Sequence, residues 1–260
     1  MTRRILSGMQ KAAHVCCISR ATRDELLKAE KEATRLVDTL AAKRRRLPMV
    51  KFDNDRYVFD GPDGPKRLLD LFAGRDQLAV YQFMDNGPDA FCPGCTHFTN
   101  NVAALEDLAN AGVSWATVSN MPLPQIEEYK ARMGWTMPFL SSRGTPFSTD
   151  CGADGGFMLN VFLRDGDDVY RTYNTTARGV DRILFSNNIL DLLPFGRQEE
   201  WEDSPPGWPQ SWHLGEGGAI RSYGVRGTAP APRSSPGSRP IAQWSRIEAG
   251  RSDDLRAAGR

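Results

Sequence analysis

The segment QLAVYQFMDNGPDAFCPGCTHF, residues 77–98, places two cysteines between a predicted strand and a predicted helix. Residues 77–84 are apolar enough for a buried strand, and residues 96–111 have the pattern of a helix. Two cysteines separated by two residues at such a junction are typical of a redox-active dithiol. Unpaired N–H groups and the dipole at a helix N-terminus favour a thiolate, so the sequence predicts that Cys92 is a nucleophile.

The residues that follow Cys92 indicate how such a dithiol would work. Pro93 and Gly94 are predicted to set the turn that brings the two sulfurs together. Cys95, one helical turn further on, is predicted to be the less exposed thiol, which resolves a mixed disulfide. His97 is a candidate base close to the thiols, and the alternative is a histidine on the helix surface without a role.

Metal binding, or two idle thiols, is the alternative interpretation of this cysteine pair. A four-sulfur zinc site needs a second pair with the same spacing, and the chain has none. We therefore expect neither a metal nor an organic cofactor.

Cys151 is a candidate for a distant resolving thiol. Asp85 and Asp89 precede the motif and would raise the pKa of Cys92 if they lie close to it.

Composition and charge exclude several classes of function. Lysine and arginine total 33 against 32 aspartate and glutamate residues, so we expect neither nucleic acid nor a membrane surface as the main partner. No apolar stretch approaches the ~20 residues of a membrane span, and we find no secretory signal. Five cysteines in 260 residues do not make a disulfide scaffold, so a cytoplasmic location is expected.

The chain divides into three predicted parts. Residues 1–47 form a charged arm with a predicted helix from Thr22, where Thr22 and Glu25 have the spacing of a capping box. Residues 48–205 form the predicted domain, and residues 206–260 are a tail rich in Gly, Pro, Ser and Arg. Such a tail buries too little apolar surface to offset its ordering entropy, so we expect it to be disordered. We expect the arm to dock on the domain or to form homodimer contacts.

Strands and helices alternate through the central part of the chain. Around the dithiol segment, the predicted elements are a strand at 56–59, a helical turn at 68–72, a strand at 113–119, a helix at 123–133, an extended piece at 139–140, a hairpin of 157–163 with 169–173, and a closing helix at 183–193. The order β-α-β-α-β-β-α, with the thiols after the first core strand, predicts an α/β, thioredoxin-like fold. Its sheet should be covered on both faces.

Several separate blocks along the chain carry a family resemblance. They are residues 47–64, 68–72, YQFM at 81–84, CPGC at 92–95, YKARMGW at 129–135, 173–179 and 190–196. Over about residues 20–205 the chain thereby resembles the bacterial DUF899 family of thioredoxin-like proteins. The resemblance implies a thioredoxin-like fold close to the peroxiredoxin branch and a dithiol–disulfide role, with a substrate that the family does not define. The tail after about Ser211 differs from the aromatic, charged C-terminus usual in that family.

Three functions remain open from the residues. A thiol–disulfide oxidoreductase would act on a disulfide or thiol of a protein or a small molecule. A thiol peroxidase needs an arginine beside the thiolate, for which Arg164 and Arg178 are candidates, although Arg178 also fits an ion pair with Asp181. It also needs a threonine or serine three residues before the reactive cysteine, and neither Asp89 nor Cys92 fits. A redox-inert binding module would present aromatic residues, although most of them are more simply interpreted as core or rim packing, namely Trp115, Tyr129, Trp135, Phe139, Tyr170 and Tyr173.

Overall fold

The computed structural model describes residues 20–88, 90–194 and 196–197. The predicted tail at 206–260 therefore lies outside the described residues, and so does Asp89. The described residues belong to two compact units, which divide after Pro48.

The described residues of the first unit form one helix, α1 (Arg20–Arg44). Its last turn carries Lys43 and Arg44, which complement the negative end of the helix dipole. The helix already includes Arg20, so Thr22 lies inside it and the predicted capping box is wrong, because no residue just before Thr22 interrupts a helix. Docking or dimerisation through this arm stays a prediction. The exposed apolar side chains of α1 are Leu26, Leu27, Leu36, Val37 and Leu40.

In the second unit, the residues that the structure describes include eight strands, which form one mixed sheet. In chain order they are β1 (Val50–Phe52), β2 (Val58–Gly61), β3 (Gly64–Arg67), β4 (Gln77–Phe83), β5 (Val113–Ser119), β6 (Phe139–Ser141), β7 (Met158–Asp165) and β8 (Asp168–Thr175). Their order across the sheet is β1-β8-β7-β4-β5-β6-β2-β3. The central strand β4 is parallel to β5 and antiparallel to β7.

Helices connect the strands and follow the last one. They are α2 (Pro93–Asn100), α3 (Leu105–Asn110), α4 (Leu123–Met133), α5 (Phe147–Asp150) and α6 (Phe185–Asp191), with 3-10 helices at Asn54–Arg56, Leu69–Phe72 and Ala177–Ile183. The central strands β4, β5, β7 and β8 with their helices repeat the predicted order β-α-β-α-β-β-α. The α/β, thioredoxin-like fold is therefore confirmed.

Three predicted elements differ from the structure. The single helix predicted after the dithiol is two helices, α2 and α3, because Ala104 adopts a left-handed conformation (φ 55°) just before α3. The first predicted strand begins later, at Val58, since the residues before it form a 3-10 turn capped by the Asp53 side chain. The closing helix is shorter than predicted, because the extended backbone of Leu184 separates a 3-10 segment from α6.

The sheet separates two apolar cores. Successive side chains of a strand point to opposite faces, so Leu78 and Val80 of β4 enter one core and Tyr81 and Phe83 enter the other. The second core contains both cysteines of the motif, and we call it the dithiol core; the first is the opposite core. The main buried members of the dithiol core are Tyr81, Phe83, Cys92, Cys95, Phe98, Met121, Ile126, Tyr129, Met133, Trp135, Phe139 and Leu159.

Candidate dithiol site

Cys92 is the N-cap of α2, the position that the sequence predicts for the first thiol. Its backbone is extended (φ −67°, ψ 115°), and its Sγ accepts the backbone N–H of Cys95 at 3.3 Å. Pro93 takes the first helical position, where its missing N–H and fixed φ are favourable, and Gly94 is buried in the same turn. The sulfur of Cys92 thus replaces the oxygen of an ordinary cap, where helix N–H groups favour a negative charge.

Cys95 is the inner of the two thiols. It is 1% exposed, against 8% for Cys92, as the sequence predicts. Burial and contact with the Cys92 thiol raise the pKa of Cys95 well above its usual value. Hydrogen bonds from the Tyr81 side chain and from the backbone N–H of Met84, which lies 3.3 Å from Sγ, lower it. The dithiol therefore pairs an outer thiol at a helix terminus with a fully buried one.

Thr96 and Tyr129 hold the first turn of α2 against α4. The Thr96 hydroxyl donates to the backbone oxygen of Cys92 at 2.9 Å and lies 2.7 Å from the Tyr129 hydroxyl. The Tyr129 ring in turn stacks on Phe91, with ring centroids 3.5 Å apart. Phe91 and Thr96, which lie on either side of Cys92 in the chain, are thereby both held by Tyr129 of α4. Tyr129 belongs to the core packing that the sequence offered as the simpler interpretation of the aromatic residues.

The loop before the motif is closed by its own contacts. Asp85 and Phe91 form an isolated antiparallel bridge, and the Asp85 carboxylate accepts the backbone N–H of Gly87 at 2.8 Å. Gln125 of α4 donates its side-chain N–H to the Gly87 oxygen at 3.0 Å. The Asp85 carboxylate thus has a structural partner in the loop.

His97 is buried rather than at the helix surface. It is 2% exposed, so the alternative of a surface histidine is wrong, because α6 covers this side of α2. Its Nε2 lies 3.3 Å from Asn187 Oδ1 and 3.2 Å from Ser186 Oγ. Burial lowers the pKa of His97 to about 4. The imidazole is therefore neutral and held by α6, and its role as a base for the thiols stays a prediction.

Arg178 lies at the end of the sheet that carries the dithiol. It follows β8, whose last residue, Thr175, pairs with Leu159, and Leu159 pairs with Tyr81 near the end of β4. Arg178 Nε lies 3.5 Å from Asp181 Oδ2, and its side chain is 58% exposed. The ion pair that the sequence offered as the alternative is thus present, and a contact with substrate stays a prediction.

Arg164 lies at the other end of the sheet. Its Nε is 3.4 Å from Asp76 Oδ1, and its Nη2 donates to the backbone oxygen of Gly74 at 3.2 Å. Asp76 immediately precedes β4, whereas the dithiol follows the end of that strand. Arg164 is therefore not the arginine of a peroxidase site at Cys92.

Cys151 belongs to the opposite core and is 0% exposed. It caps the C-terminus of α5, and burial raises the pKa of its thiol to about 12. The sheet lies between Cys151 and the dithiol. This placement contradicts the alternative in which Cys151 resolves a disulfide at Cys92.

Tyr81 is a site residue that the cysteine motif does not indicate. Its side chain is hydrogen-bonded to Cys95 from the strand beneath α2. The alternation of β4 carries a signal for this contact, since Tyr81 and Phe83 share the face on which the dithiol helix packs.

Among the described residues, no cluster of three or more His, Cys, Asp or Glu residues could hold a metal ion. Within the same residues, no helix is long and apolar enough to cross a membrane.

One family matches most of the chain. It is described as "Bacterial protein of unknown function (DUF899)", and the match spans residues 19–214. The chain belongs to this family. The DUF899 match includes α1 and the whole sheet, and it confirms the resemblance found in the sequence. Because the DUF899 description assigns no activity, the function has to be argued from the dithiol site.

The solved structures similar to this DUF899 chain are distant from it. An uncharacterized conserved protein from Geobacillus kaustophilus is 17% identical, with a TM-score of 0.34 over 48% of this chain and 72% of that one. A point mutant of Xylella fastidiosa PrxQ is 12% identical, with a TM-score of 0.38 over 55% and 94%. A secreted Mycobacterium tuberculosis disulfide oxidoreductase homologous to E. coli DsbE is 13% identical, with a TM-score of 0.32 over 47% and 87%. No curated protein matches the chain.

Proposed function

We propose that this DUF899 protein is a thiol–disulfide oxidoreductase that acts through Cys92 and Cys95. The observation that carries the proposal is the unequal environment of two thiols in contact. Cys92 caps α2, whereas Cys95 is 1% exposed and hydrogen-bonded to it. A nucleophilic thiol at a helix N-terminus with a second thiol in reach is what a two-step exchange requires.

The proposed reaction proceeds through a mixed disulfide. The Cys92 thiolate attacks a substrate disulfide, the substrate S–S bond breaks, and one substrate sulfur leaves and takes up a proton. Cys95 then attacks the Cys92 sulfur, the second substrate sulfur leaves, and the Cys92–Cys95 disulfide forms. Two electrons and two protons pass to the substrate, and the reverse sequence oxidises a dithiol.

The proposed partner is a disulfide or thiol, carried by a protein or a small molecule. The proposal places the protein in the cytoplasm, without a nucleic-acid or membrane partner, and without an organic cofactor. Homodimer contacts through α1 are part of the same proposal. Exchange is favoured over peroxide reduction, because Arg164 lies at the far end of β4 and because the residues three positions before Cys92 and Cys95 are not threonine or serine.

A glutathione redox titration of the full-length protein, with alkylation and mass spectrometry, tests the proposal. We expect one reversible Cys92–Cys95 disulfide with a potential of roughly −200 to −300 mV. Cys95→Ser should accumulate a mixed disulfide on Cys92, and Cys92→Ser should form neither species. Cys151→Ala is the matched control, because this thiol lies in the opposite core and should not change the titration.

The absence of a Cys92–Cys95 disulfide in oxidising buffer would contradict the proposal. Peroxide consumption by Cys92 under the same conditions would then support the thiol peroxidase. Failure of both reactions would favour the redox-inert binding module.

A further inference from the structure

Cys95 is the thiol whose chemistry the fold makes difficult. In the proposed exchange it must attack the mixed disulfide, and a thiolate is the attacking form. Cys95 is 1% exposed, and burial raises the pKa of its thiol well above the usual value. The second step therefore requires a group that stabilises negative charge on Cys95 Sγ inside the dithiol core.

Among the described residues, three groups act on the Cys95 thiol: the Cys92 thiol, the backbone N–H of Met84 and the side chain of Tyr81. The Cys92 sulfur is the atom that Cys95 attacks, and its contact with the Cys95 thiol disfavours the Cys95 thiolate. The Met84 N–H lies 3.3 Å from Sγ and is a fixed backbone donor. Tyr81 thus contributes the side-chain hydroxyl at this sulfur.

Tyr81 is held rigidly in place for such a contact. It lies in the central strand β4, paired with Thr117 of β5 and Leu159 of β7, and it is 1% exposed. Its ring stacks on Phe98 of α2, with centroids 3.8 Å apart and planes at 11°. The helix that carries Cys95 therefore also fixes the tyrosine ring. A donor fixed in this way stabilises a developing charge without a reorganisation cost.

We propose that Tyr81 is a catalytic residue of the resolving step, whose hydroxyl donates a hydrogen bond to Cys95 Sγ as negative charge develops there. The Cys95–Cys92 bond forms, the bond between Cys92 and the substrate sulfur breaks, and the electron pair leaves with the substrate sulfur. The proton that Cys95 loses ends on the substrate thiol, and Tyr81 keeps its own proton. This inference rests on the proposed function and adds a third side chain to it.

The test separates the two steps with the coloured disulfide 5,5′-dithiobis(2-nitrobenzoate) as the substrate. In the full-length protein with Cys16→Ser and Cys17→Ser, attack by Cys92 releases one thionitrobenzoate, and resolution by Cys95 releases a second. Stopped-flow absorbance follows both phases, and Cys95→Ser should show only the first. Tyr81→Phe retains the ring that stacks on Phe98 and removes only the hydroxyl. Tyr57→Phe is the matched control, since its buried hydroxyl donates to Asp150 at 2.8 Å in the opposite core.

We expect Tyr81→Phe to leave the first phase unchanged and to slow the second by about tenfold or more, the effect of a lost hydrogen bond to a charged group. The apparent pKa of the second phase should rise in Tyr81→Phe and not in Tyr57→Phe. A second phase that is as fast in Tyr81→Phe as in the parent would overturn the inference and leave the proposed function intact. A parent protein without two phases would instead contradict the proposed function.

Discussion

The Nε2 atom of His97 lies 3.3 Å from Oδ1 of Asn187, and this contact joins the dithiol helix α2 to the last helix, α6. Ser186 adds two contacts, from its hydroxyl to the same nitrogen at 3.2 Å and from its backbone N–H to Asn101 Oδ1 at 2.9 Å. Asn101 also donates to the backbone oxygen of His97 at 2.8 Å. A buried network of neutral side chains thus holds α6 on the back of the dithiol helix, and burial keeps the imidazole uncharged by lowering its pKa.

Acid should destabilise the protein through His97. The unfolded chain takes up this proton near the ordinary pKa of 6.5, whereas the folded protein does so only near 4. Neutral His97 therefore contributes about 3 kcal/mol to the free energy of unfolding above about pH 6.5, and this contribution is lost as the pH falls towards 4. Urea unfolding at pH 7 and pH 4.5 measures this loss, with His97→Gln as the variant that cannot titrate. Equal losses in both proteins would exclude His97 as the responsible group.

Alkylation should distinguish the thiols of the two cores. Burial raises the pKa of Cys151 to about 12, and the residue is 0% exposed, so its thiolate is scarce and inaccessible at pH 8. Iodoacetamide should modify Cys92 in the native protein and reach Cys151 only after unfolding in urea. Peptide mass spectrometry before and after unfolding gives both extents. Native Cys151 that reacts as fast as Cys92 would refute this expectation.

Thr96 and Tyr129 should be energetically coupled. Thr96→Val removes the hydroxyl that lies 2.7 Å from the buried Tyr129 hydroxyl, and we expect a loss of about 1–3 kcal/mol. Adding Tyr129→Phe removes the second polar group as well, so the double variant should lose less than the sum of the two single variants. Urea unfolding of the four proteins gives the coupling energy. Additive losses would show that the two hydroxyls do not depend on each other.

Gly134 should tolerate asparagine better than alanine. It ends α4 in the left-handed region (φ +69°), and an added Cβ would meet no atom within 4 Å. The cost of Gly134→Ala is therefore one of backbone conformation, about 1 kcal/mol, and Gly134→Asn should lose less. Thermal unfolding of both variants compares them. Similar losses of stability in the two variants would show that the left-handed backbone does not determine which residues position 134 tolerates.

The dithiol segment was predictable because its signals are local. A strand, a turn-rich loop, the cysteine spacing and a helix start all lie within residues 77–98. The edge strands were not predicted, because their pairing is not local or their pattern is weak. In β1, Val50 pairs with Arg171 more than a hundred residues away, and β3 has the sequence GPKR, without apolar alternation.

Within the site, too, features with a local sequence signal were predictable and features that depend on distant contacts were not. Cys92 and Cys95 follow from their spacing, whereas the burial of His97 depends on Asn187, ninety residues further along the chain. The sequence shows that His97 follows the motif, but not that a helix from the C-terminal part covers it. Tyr81 was overlooked for a related reason, since the strand pattern predicts its face but not which sulfur its hydroxyl meets.

The position of the sheet between Cys151 and the dithiol has a consequence for oxidation. A disulfide needs Cα atoms within about 7 Å and side chains directed towards each other, and residues in cores on opposite faces of a sheet do not meet the second condition. Mispaired bonds between Cys151 and either motif cysteine are therefore excluded by topology while the domain stays folded. Within the described residues, Cys92 and Cys95 share one core and Cys151 lies in the other, so a disulfide to Cys151 would show that the domain has opened.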